Sequence, residues 1–212
     1  MASPPVSTTA QAPSSAKSFA KSSFWPLALY WTVGAVVGAL YLRPEMAQLP
    51  TYSSRSHFVS VAVALAVTVV TTVAYSKVTT YGGRSLHLPT LFGFSFFNGI
   101  LETVLFLASF KIGTTLAVPF TAEPLWLFLA GTLSFFVYSG LIHVFLWLKI
   151  LPPHLNKSPA VKNARRVWIV GLVAVSVLWG WLYFAYQDFW SVAVLHALFD
   201  AGMVYCIRYR LR

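Results

Sequence analysis

Runs of about 20 consecutive apolar residues recur along this chain, and at 1.5 Å per residue a helical run of that length matches the hydrocarbon thickness of a bilayer. Hydrocarbon offers no hydrogen bonds. Every backbone N–H and C=O in such a run must be satisfied within the protein, which leaves helices or a closed barrel. Barrel strands are shorter and alternate apolar with polar residues, so the runs read as helices. Of 212 residues, 58% are hydrophobic and 9% charged, where a soluble domain carries roughly a quarter charged. The bilayer is therefore the main solvent. The pattern predicts an all-α membrane protein of about six transmembrane helices in one bundle, near Phe24–Leu42, His57–Tyr75, Leu88–Phe110, Leu125–Leu148, Val167–Tyr186 and Phe189–Ile207. The start of the third span is ambiguous, because Pro89 and a Gly/Phe/Ser stretch precede Asn98. That helix could begin later and run past Lys111.

Charge supplies the orientation. With six spans and the N-terminus inside, twelve of the fifteen Lys and Arg residues fall on inside segments, and only Arg43, Arg55 and Lys111 fall outside. The positive-inside rule then puts both termini on the cytoplasmic side, or on an equivalent side such as stroma. The formal net charge of +10 reflects topology and attraction to anionic headgroups. It does not indicate nucleic acid, since no basic domain outside the membrane exists to carry that binding. Residues 1–23 form a Ser/Ala/Pro-rich tail without acids, disordered by composition, ahead of the bundle at 24–207. Residues 208–212 form a basic tail with Arg208, Arg210 and Arg212. The first apolar run reads as a retained helix. Cys206, the single cysteine, excludes an internal disulfide and any Cys-rich metal site.

Against this background four side chains stand out. Glu102, His143, His196 and Asp200 lie inside apolar segments of a chain with only five acidic residues and five histidines. Ionisable groups in hydrocarbon are costly and mark functional sites. His196 and Asp200, four apart, share one helix face. Ser95, Asn98, Gly99 and Glu102 share a face of the third span, as do Thr132, Ser139, Gly140 and His143 on the fourth. The expected assembly packs spans three, four and six around one polar site, with one, two and five as cladding. The Gly34–Gly38 pair in the first span predicts close helix packing. His57, His87 and His154 read as interfacial or loop residues, and those aromatics of the fifth span that lie near its ends as interfacial anchors.

A carboxylate and two imidazoles in a low-dielectric pocket suit water chemistry. Glu102 is the candidate base, His143 its partner, and His196 with Asp200 the stabilisers of an oxyanion. The same residue types also suit zinc or iron; no metal ligand set is assigned.

The order Glu, His, then His-x-x-x-Asp on successive helices resembles the CPBP family, the membrane proteins related to type II CAAX prenyl endopeptidases and bacteriocin-immunity proteins. The resemblance rests on Phe-Phe-Asn-Gly-Ile-Leu-Glu at 96–102, Gly-Leu-Ile-His at 140–143 and Ser-Val-Ala-Val-Leu-His-Ala-Leu-Phe-Asp at 191–200. It covers about Pro89 to the C-terminus. It implies an intramembrane endopeptidase using Glu102, His143, His196 and Asp200, with membrane proteins as substrates. The chain departs from the family pattern at Thr103, where the family has a second Glu, and at Ser139, where it has Phe. No Arg follows Glu102 in that helix, where the family has one after its Glu pair, and loss of the paired Glu and the Arg favours a catalytically silent scaffold or assembly factor within a membrane complex. A third reading makes His143 and His196 axial ligands of haem or chlorophyll, which 17% aromatic residues permit; no cofactor is implied otherwise. The partners in every reading are the lipid bilayer and other membrane proteins.

Overall fold

The structure, a computed structural model, describes residues 21–22, 24–79, 87–147, 155–207 and 210–211. Most of the expected N-terminal tail, His154, and Arg208 and Arg212 of the basic C-terminal tail lie outside the described residues. The described chain is helical apart from its connecting loops, a two-residue parallel pairing of Lys21–Ser22 with Arg210–Leu211 and an isolated antiparallel bridge between Thr79 and Leu155. The helices are α1 (Phe24–Tyr41), α2 (Arg43–Ala47), α3 (Arg55–Val78), α4 (Leu88–Ala117), α5 (Pro124–Ile142), α6 (Lys162–Tyr186) and α7 (Phe189–Ile207). Five of them, α3 to α7, are long and apolar enough to cross a membrane; α1 is a shorter apolar helix.

Local chemistry explains the ends. Pro44, Pro89 and Pro124 sit in the first turns of α2, α4 and α5, where a missing N–H costs nothing. The Ser54 hydroxyl caps α3 by accepting from the His57 amide at 3.1 Å. Gln187, at φ 52°, closes α6 in the left-handed conformation, so the chain reverses directly into α7. The third expected span begins at Leu88 and continues past Lys111 to Ala117, so the Gly/Phe/Ser stretch is helical. At about 1.5 Å per residue, this helix exceeds the hydrocarbon thickness.

Helix α4 is the post around which the others pack, with α5, α7 and α1 as its main neighbours, while α3 packs on α6 and α7. Between helices in lipid the hydrophobic effect gives little, and close van der Waals packing at small residues carries the association. At Gly34 of α1 an added Cβ would sit 2.6 Å from the Leu101 carbonyl oxygen of α4, so the Gly34–Gly38 face packs as its sequence suggested. At Gly99 of α4 an added Cβ would lie 2.5 Å from Ala197 Cβ of α7. That near-contact of two backbones sets the site, because Glu102 and Thr103 lie one turn beyond Gly99, and His196 is next to Ala197. Antiparallel contacts of Ser109 with Ser134 and of Phe106 with Tyr138 bring the end of α5 level with Glu102.

Candidate functional site

The four residues singled out in the sequence line one cavity of 590 Å³, walled mainly by α4, α5, α6 and α7. Its lining is largely apolar and aromatic, with Phe94, Phe106, Phe135, Trp168, Trp179 and Phe199 among the walls, and Lys157 also faces it.

The floor is a hydrogen-bonded cluster. Glu102, 3% exposed, accepts at Oε1 from the Tyr30 hydroxyl at 3.1 Å and from Trp147 Nε1 at 2.8 Å. Its Oε2 accepts from Asn98 Nδ2. The same amide nitrogen donates to Asp200 Oδ2 at 2.8 Å. Trp31 Nε1 donates to Asn98 Oδ1 at 3.0 Å. An indole nitrogen can only donate, so Trp31 decides which way the amide points and turns both its hydrogens toward the acids. Tyr138 donates to the Tyr30 hydroxyl oxygen at 3.3 Å and extends the network to α5.

His196 sits between aromatic rings that fix its plane. It stacks on Phe106, with ring centroids 5.5 Å apart and planes 14° off parallel, and lies 4.9 Å from Trp179. Its Nδ1 meets Thr103 Oγ1 at 2.9 Å. Its Nε2 stands 3.6 Å from Glu102 Oε2 and 3.6 Å from Asp200 Oδ2, too far for hydrogen bonds. This orientation lends no support to a tetrapyrrole ligand role, in which Nε2 would face the flat of a macrocycle.

His143 behaves differently. It is exposed, and its Nδ1 donates to the Ser139 carbonyl at 2.7 Å. It shares the cavity with Glu102 but makes no hydrogen bond to it among the described residues. It opens a π-helical turn, His143–Trp147, an irregularity frequent at functional sites. The wider turn re-aims the residues after it and delivers Trp147 to Glu102.

Several site members escaped the sequence reading. Asn98 was on the polar face yet not assigned a role. Thr103 read as a departure from a family motif, and it holds His196. Tyr30 and Trp31 put α1 in the site, and Trp179 is buried against His196. The assignment of the first and fifth spans to cladding is therefore corrected. Nothing in the periodicity of those aromatics distinguishes them from lipid-facing ones. Among the described residues the indole N–H groups of Trp168 and Trp179 have no hydrogen-bond partner, although both line the cavity.

A second buried polar group lies away from the cavity. His57 Nε2 and Asp188 Oδ2 meet at 2.7 Å, and Asp188 Oδ1 accepts from the Ser191 amide at 2.9 Å. His57 also stacks on Tyr186 with centroids 4.3 Å apart. In the sequence His57 looks interfacial; in the fold it is 6% exposed. Glu45 Oε1 accepts from Lys111 Nζ at 2.7 Å and from the Tyr183 hydroxyl at 3.1 Å. Burial alone would push the Glu45 carboxyl up, but the hydrogen bonds and charge of Lys111 prevail and hold it below its ordinary 4.5. His87 pairs through Nδ1 with Thr90 at 2.7 Å at the start of α4.

No family model, curated protein or solved structure matches this chain.

Proposed function

We propose that this protein is a CPBP-like intramembrane hydrolase acting on a membrane-embedded polypeptide. The observation that carries the reading is the convergence of Glu102, His143, His196 and Asp200, from three helices, on one largely apolar cavity. An apolar chamber with a few convergent polar groups is the usual form of a binding or catalytic site. In this mechanism a water held at Glu102 Oε2 attacks the scissile carbonyl carbon and gives its proton to that carboxylate. The carbonyl oxygen takes the negative charge, and Glu102 then returns the proton to the leaving amine. Buried donors without partners cost stability, and the indole N–H groups of Trp168 and Trp179 supply donors for substrate or oxyanion oxygens. His143, exposed at its π-helical turn, stands on the cavity wall as a further donor from Nε2 when protonated.

The reading includes six spans, with α1 crossing as the sixth, and both termini on the cytoplasmic or stromal side. Support comes from the twelve-to-three distribution of basic residues and from the contribution of Tyr30 and Trp31 to the buried cluster. Accessibility labelling that found the termini on opposite sides would overturn it.

One observation favours a second reading, a catalytically silent scaffold. Glu102 accepts three hydrogen bonds, from Tyr30 on α1, Asn98 on its own helix and Trp147 after α5, a pattern that also suits a purely structural knot. Cells carrying wild type or Glu102→Ala at matched abundance separate the two. Loss of a defined set of new protein termini in the variant supports the hydrolase. Unchanged termini, together with a membrane complex that is disturbed only when the whole protein is deleted, overturn it in favour of the scaffold.

A further inference from the structure

A second pocket, of 260 Å³, lies between the 48–54 segment, the start of α3 and the turn from α6 to α7. Lys157 of the large cavity precedes α6 and this pocket adjoins its other end, so the two lie toward opposite ends of that helix and share no residue. The floor of the pocket is the His57–Asp188 pair, and its rim carries the amide and hydroxyl side chains of Gln48, Thr51, Ser53 and Gln187. Ionised Asp188 can only accept, so Nε2 of His57 carries the hydrogen between them. Among the described residues Nδ1 of this buried ring has no hydrogen-bond partner. A neutral ring presents a lone pair there and an imidazolium presents a hydrogen; a hydroxyl meets either. Thr51 donates to the Ser53 oxygen at 3.3 Å, which leaves Ser53 its own hydrogen to give. Gln187 donates from Nε2 to the Tyr183 carbonyl at 3.2 Å, which leaves its amide oxygen to accept. Donors and acceptors are thus mixed around one opening.

Charge narrows the guest. Among the described residues no Lys or Arg lines the pocket. Both Asp188 oxygens are engaged, one by His57 and one by the Ser191 amide. An anion finds no unpaired cation and a cation no unpaired carboxylate. The backbone is an independent sign. Tyr52 and Gln187 are the non-glycine residues with positive φ among the described residues, and both are at this pocket. Gln187 ends a helix, where the left-handed conformation is ordinary. For a bulky residue such as Tyr52 a φ of 49° is an outlier. Its hydroxyl, 2.7 Å from Ser191 Oγ, and its ring, 5.1 Å from the His57 ring, hold it there. Strain of this kind gathers at ligand clamps.

We propose that this pocket binds one neutral hexose ring, either as a free sugar or as the head group of a glycolipid. Sugar hydroxyls both donate and accept, as the rim requires, and the C–H face of the ring packs on an aromatic face such as the half-open Tyr52. The volume falls just under the roughly 300–1,000 Å³ of sites for drug-sized ligands, which limits the guest to a single small unit. The pocket stands at the ends of three helices long and apolar enough to cross a membrane, the level of lipid head groups. Leu49 on its lining and Phe58 next to His57 are exposed, apolar surface for the chains of a lipid-borne sugar.

The inference is independent of the hydrolase reading. Full-length protein, in a detergent without a sugar head, is titrated by calorimetry with methyl β-galactoside, with dioctanoyl monogalactosyl glycerol and with dioctanoyl phosphatidic acid. Ring-nitrogen NMR of isotopically labelled histidine follows His57. We expect saturable binding of galactose, a shift of the His57 Nδ1 signal, and affinity lowered about 3–10-fold by each of Gln48→Ala and Gln187→Gly, the loss of one hydrogen bond. Both variants leave the His57–Asp188 pair intact, and glycine accepts the φ of 52° at position 187. Glu102→Gln, in the other cavity, leaves this binding unchanged. Equal uptake of glycoside and glycolipid identifies a free-sugar site; uptake of the glycolipid alone identifies a head-group site, and either sustains the proposal. Monodisperse protein that binds neither galactose probe, binding indifferent to both variants, or preference for the phosphatidic acid overturns it.

Discussion

At the turn between α6 and α7, His57 Nε2 and the Asp188 carboxylate meet at 2.7 Å. In the cavity, His196 Nε2 stays 3.6 Å from each of two carboxylates. Both histidines are more than nine-tenths buried, and both face acids, yet one pair is closed and the other is held apart. The closed pair joins the start of α3 to the start of α7, and its second carboxylate oxygen takes a backbone amide. Both carboxylate oxygens there are matched, as a structural ion pair must be when buried. In the cavity the rigid supports pull the other way. Asn98, Thr103 and the flanking rings hold His196 Nε2 at 3.6 Å from both carboxylates, beyond hydrogen-bond distance. Groups kept in an arrangement that is poor for stability are the usual signature of a site built for a guest.

The largest expected effect breaks the closed pair. His57→Ala leaves Asp188 buried without its partner, and removal of one member of a buried pair costs about 3–5 kcal/mol. Unfolding in detergent, followed by circular dichroism against denaturant, should show that loss; a change below about 1 kcal/mol would place the pair with exposed bridges and erase the contrast.

Next comes the crossing that assembles the open site. Gly99→Val puts a side chain where Ala197 Cβ already stands, and overpacking of this kind costs about 1–3 kcal/mol. The separation of α4 from α7 should also abolish whatever the cavity binds, while His57 and Asp188 remain paired.

A smaller effect has the opposite sign. Asp200→Asn keeps an amide oxygen to accept from Asn98 and removes one of two facing carboxylates. It should raise the unfolding free energy by about 0.5–2 kcal/mol. A destabilisation as large as that of His57→Ala would mean that the cavity acids form a closed pair after all.

The smallest effect is the pH response of Glu45. Its carboxyl is held below 4.5 in the folded protein, so the stability it contributes is fully present above the unfolded value and is lost as pH falls through the folded one. Thermal midpoints of wild type and Glu45→Gln should therefore converge below about pH 4.5, by less than about 1 kcal/mol, since Lys111 is one-third open to solvent. A difference between the two that persists undiminished into stronger acid would assign the effect to packing.

Much of this could be read in advance because the bilayer imposes a strong rule. Apolar run length foretold the helices, and the cost of burying ionisable groups flagged Glu102, His196 and Asp200, which do cluster. The same rule missed Asp188, Glu45 and His57. They lie at or near helix ends, where a charged residue looks solvated until a neighbouring helix covers it. It also ranked His143 level with His196, although only His196 touches the acids.

By itself the sequence determined that the chain is a helical membrane bundle and which rare ionisable residues its apolar segments must shelter, because both follow from local composition and the energetics of hydrocarbon. Tertiary structure alone decided how those residues face each other. The near-contact at Gly99 and Ala197, the π-helical turn that turns Trp147 inward, and the indole of Trp31 that orients Asn98 are matters of ångströms between helices far apart in sequence. Hydrogen bonding depends on those distances, and no one-dimensional pattern contains them.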